Sequence, residues 1–170
     1  MSIETEILSQ INTEQLARQL GTDPATAEAG AVHAIRTLVG GMAQNAQQPQ
    51  GEAALASALA SHAQGSPLFN TPGIDLDEVD QTDGEKIVGH VLGGQGDGGQ
   101  PQASQLGGLQ AAGLDSGMTS KLLKLLAPIV LAYVAKQITQ KEGGNVLGDA
   151  AGGAGGGILG QILGGLFGGR

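Results

Sequence analysis

The side chains in this chain best suited to chemistry are three histidines, His33, His62 and His90, and the acidic run Asp75, Asp77, Glu78, Asp80 and Asp83. An imidazole holds a metal when a second imidazole or a carboxylate stands one helical turn away, and none of the three has such a neighbour. They read as surface or packing histidines. The acidic run offers oxygen ligands, but a calcium loop starting at Asp75 needs an oxygen donor at Val79, glycine at Asp80 and glutamate at Lys86. It reads instead as a solvated loop whose carboxylates cap helices.

No Gly-rich stretch runs into the Lys-Ser/Thr of a phosphate loop, and no serine elbow or defined carboxylate pair is present. The chain has no Cys, which removes thiolate metal sites, cysteine nucleophiles and disulfides. The prediction is a protein without catalytic residues, cofactor, metal or identifiable small-molecule ligand.

Gln15-Leu16-Ala17-Arg18-Gln19-Leu20-Gly21, followed by Asp23-Pro24-Ala25-Thr26, has the outline of a helix-turn-helix, with small Ala17 at the crossing and Gly21 in the turn. A reading helix presents basic and amide groups at its exposed start, whereas this one offers Thr26, Glu28 and, far along, Arg36. The net charge of -8 further opposes contact with nucleic acid or anionic lipid.

The remaining candidate is at the C-terminus. Ile158, Leu159, Ile162, Leu163, Leu166 and Phe167 would form one apolar helix face separated by glycines, suited to self-association, partner docking or a membrane surface.

These residues must be positioned by helices. With 31 Gly, 2 Phe, 1 Tyr and no Trp in 170 residues, the core has to come from Leu, Ile, Val and Ala. Ile3, Ile7, Leu8 and Ile11 recur at helical spacing. Asn12 or Thr13 can cap a second short helix ending at Gly21, and Asp23-Pro24 starts a long amphipathic helix to about Ala46. An Ala-rich helix is predicted from Glu52 to Ala63. Beyond a loop over 65–81, the capping-box spacing Thr82-Asp83-Gly84-Glu85 precedes Ile87, Val88, Val91 and Leu92. A short helix over 103–112 stops at Gly113. Asp115 or Ser116 then opens the most apolar segment, running through Leu122, Leu126, Val130 and Ile138 with Pro128 inside it. Its uninterrupted apolar run, Leu125 to Ala135, is about half the roughly 20 residues of a membrane span, so the prediction is a buried helix and no transmembrane segment.

The expected organisation is all-α: a small orthogonal helical bundle of two related helical hairpins with a Gly-rich C-terminal tail. Residues 1–92 would form the N-terminal hairpin and connecting helices, 93–102 a Gly/Gln-rich mobile linker, 103–141 the second hairpin completing one core, and 142–170 the tail. The hairpins echo one another. Gln15-Leu16 through Gly21 and Asp23 recurs as Gln105-Leu106 through Gly113 and Asp115, and allowing one small insertion, Ile35, Leu38 and Val39 answer Leu126, Ile129 and Val130.

Two stretches, Asp83-Gly84-Glu85-Lys86-Ile87-Val88-Gly89-His90-Val91-Leu92-Gly93 and Gly113-Leu114-Asp115 through Leu125-Leu126-Ala127-Pro128-Ile129-Val130, resemble the bacterial domain-of-unknown-function family 937, which includes YidB-like proteins. The resemblance spans about residues 10–140. It implies a helical fold, with a homeodomain-like arrangement for the YidB-like branch, and no established activity.

The resulting expectation is a noncatalytic cytoplasmic interaction or self-assembly module, the acidic N-terminus lacking the features of an export signal. An acidic helix-turn-helix DNA-binding regulator is the first alternative, and peripheral membrane attachment through the tail the second.

Overall fold

The computed structural model describes residues 3–65, 73–92, 107 and 109–142. Among them the fold is all-α. The only β feature is an isolated parallel bridge between Ile11 and Ile74. The helices are α1 (Ile3–Gln10), α2 (Thr13–Leu20), α3 (Pro24–Ala46), α4 (Pro49–Gly65), α5 (Gln81–Leu92) and α6 (Ser116–Glu142). A further helical turn covers residues 109–111. The linker expected at 93–102 and the tail beyond Glu142 lie outside the described residues.

Local chemistry accounts for most boundaries. Asn12 caps α2, its side-chain oxygen accepting from the Gln15 N–H at 3.0 Å, and Gly21 ends the helix with φ 76° while donating its N–H to Ala17. Asp23 caps α3 by accepting from the Thr26 N–H at 3.0 Å. Asp115 caps α6 by accepting from the Met118 N–H at 2.8 Å, two residues after Gly113, which has φ 86°.

Two boundaries differ from expectation. The cap of α5 is Asp80 and not Thr82: its carboxylate accepts from the N–H groups of Thr82 at 2.8 Å and Asp83 at 3.2 Å, and its carbonyl accepts from Gly84. The better acceptor, two positions earlier, draws the helix start back to Gln81. Helix α4 opens at Pro49, three residues before the expected Glu52, because proline's fixed φ and missing N–H suit a first helical position. Bonds from the Gln47 and Gln48 N–H groups to Gln44 and Asn45 close the link from α3.

The described chain divides into two compact units, Met1–Val39 with Leu68–Val130, and Gly40–Pro67 with Leu131–Arg170. The first buries Ile7, Leu16, Ile35, Leu76, Leu109 and Leu126 completely. The second buries Met42, Leu59 and Val134 to the same degree.

The stretch Ser116–Gln137 is long and apolar enough to cross a membrane by length and composition, and 78% of its most apolar window is buried within the protein. Every residue from Leu125 to Ala135 is buried, which is the behaviour of a core helix covered on all sides. Helix α6 runs through Pro128 without interruption.

Candidate functional site

The acidic run is drawn onto α2. Gln15 stands in the middle of that helix, and its amide donates to Asp75 at 2.7 Å and Asp77 at 3.0 Å while its side-chain oxygen accepts from the Leu76 N–H. One turn on, the Gln19 amide donates to Asp77 at 2.5 Å. The Ile74 N–H adds a backbone bond of 2.7 Å to the Gln10 carbonyl. Glutamines four residues apart share a helix face, so both reach the same turn. The Lys121 ammonium donates to the Gln19 carbonyl from α6.

These contacts set the electrostatics. The Gln15 amide first, then the Asp77 N–H, holds the Asp75 carboxyl below its ordinary value of 3.8. The Asp83 N–H, followed by that of Thr82, does the same to Asp80. At Asp23 the Thr26 side chain leads and its N–H follows. In each case donors favour the ionised form. The oxygens that could ligate a cation instead accept from amides and helix N–H groups, and among the described residues no group of three His, Cys, Asp or Glu side chains is arranged to hold a metal.

The histidines are dispersed. His62 Nδ1 lies 2.9 Å from the Ala58 carbonyl, and His90 Nδ1 lies 2.9 Å from that of Lys86, each one turn back in its own helix. The carbonyl of His33 accepts from the Thr37 hydroxyl. Arg36, the basic residue of the would-be reading helix, pairs through Nε with Glu4 at 2.8 Å. Ile158, Leu159, Ile162, Leu163, Leu166 and Phe167 all lie outside the described residues.

A second polar contact joins α5 to α6. Lys124 Nζ lies 2.9 Å from Glu85 Oε2, and beside it a Cβ on Gly84 would overlap the Lys124 carbonyl oxygen. Sequence reading did not pair these residues. The available signals were a glycine at a buried position of a helical pattern and a proline four residues after Lys124. The glutamine clamp carried no local signal, since Gln15 and Asp75 are 60 residues apart.

The Gly84–Lys124 crossing brings together Asp83 to Leu92 and Gly113 to Val130 within one unit. Neither the curated proteins nor the solved structures contain a match to the chain. A family described as a bacterial protein of unknown function, DUF937, matches residues 5–137 and so includes both stretches, the acidic turn and all six helices at least in part. The chain belongs to the DUF937 family of bacterial proteins of unknown function.

Proposed function

We propose that the chain is a noncatalytic cytoplasmic interaction or self-assembly module whose docking element is the glycine-rich tail. The observation that carries this reading is the tail's pattern: Ile158, Leu159, Ile162, Leu163, Leu166 and Phe167 repeat at helical spacing with glycines between them. Supporting it, the polar groups most suggestive of chemistry serve the fold: Asp80 caps α5, Asp75 and Asp77 anchor a turn, and Arg36 pairs with Glu4.

Light scattering of the full chain and of a version ending at Glu142 is the test. The full chain is expected to gain mass with concentration and the truncated one to stay constant; equal masses throughout would defeat tail-driven assembly. Binding of duplex DNA at low salt, lost on Arg36→Glu, would favour the helix-turn-helix regulator instead. Sedimentation with liposomes, lost on Leu163→Asp, would favour membrane attachment.

A further inference from the structure

We draw no further inference here: the strongest candidate, the exposed acidic turn from Asp75 to Asp80 that lies against α2, is a cluster whose aspartates already accept from the Gln15 and Gln19 amides and from nearby backbone N–H groups, and no second observation among the described residues points to a ligand there.

Discussion

Gly84 of α5 lies so close to the Lys124 carbonyl oxygen of α6 that a methyl group on Gly84 would overlap it. That carbonyl is the one whose ordinary helical partner, four residues on, is Pro128, which has no N–H to donate. The helices thus cross where one lacks a side chain and the other a backbone hydrogen bond. The Gly84 Cα–H faces the freed oxygen, a contact contributing about 0.5–1 kcal/mol. The Lys124–Glu85 ion pair beside it has side-chain exposures of 30% and 66%, and exposed pairs contribute only about 0–1 kcal/mol. Close approach, more than charge, makes this crossing specific.

Gly84→Ala is therefore expected to destabilise the protein by about 1–3 kcal/mol through overpacking, although Ala is the better helix former by about 1 kcal/mol. Gly89, in the same helix but with open space around a Cβ, provides the opposite case. Gly89→Ala should stabilise by about 0.5–1 kcal/mol. Urea midpoints of the two variants shifting in the same direction would contradict the crossing.

The caps of the two long helices should behave alike. Asp23→Ala and Asp115→Ala are each expected to cost about 0.5–2 kcal/mol, and the corresponding Asn variants much less, because Asn retains the accepting oxygen. Thermal melts of the four variants decide it, and Asn variants as damaged as the Ala ones would remove the capping account.

Stability should fall in acid. Asp23, Asp75 and Asp80 have carboxyls held below 3.8 in the folded chain, so the native state binds protons less readily than the unfolded one. Their contribution is present in full above 3.8 and is lost as pH falls through the lowered values. Asp80→Asn keeps a capping oxygen without a titrating group. Its melting temperature should stay close to that of the parent at pH 7 and decline less between about pH 4 and pH 2. Parallel pH profiles for the two proteins would rule Asp80 out as a source of the acid sensitivity.

Gln15→Ala removes three of the four side-chain bonds that tie the acidic turn to α2, each contributing about 0.5–1.5 kcal/mol, and leaves the one from Gln19 to Asp77. Amide exchange is expected to quicken at Leu76 and Asp77 while the interior of α6 keeps its protection. Unchanged exchange at Leu76 would show that the Ile74–Gln10 backbone bond, the Gln19–Asp77 bond and buried Leu76 suffice to hold the turn.

What the sequence by itself determined was most of what is set by near neighbours along the chain. Apolar residues three and four apart place α1, α2, α3 and α6. Asn12, Asp23 and Asp115, with Gly21 and Gly113, mark helix ends because a cap and the N–H it satisfies are only three residues apart. Even the mistaken cap at Thr82 had the right chemistry, and Asp80 displaced it because its carboxylate, two positions earlier, accepts from the Thr82 and Asp83 N–H groups and starts the helix at Gln81. The motifs at Asp83–Gly93 and Gly113–Val130 were sufficient to place the chain in its family.

Tertiary structure alone decided which of those pieces touch. That Gln15 grips Asp75, that Arg36 pairs with Glu4, and that Gly84 is empty for the sake of Lys124 all depend on contacts between residues 32 to 60 positions apart. Such contacts follow from how helices pack in three dimensions, and helical periodicity specifies which face of a helix is buried without specifying what lies against it. The histidines and carboxylates that look most chemical in the sequence are consequently dispersed or bound to the fold, while the residue that shapes the crossing of the two family motifs is a glycine with no side chain.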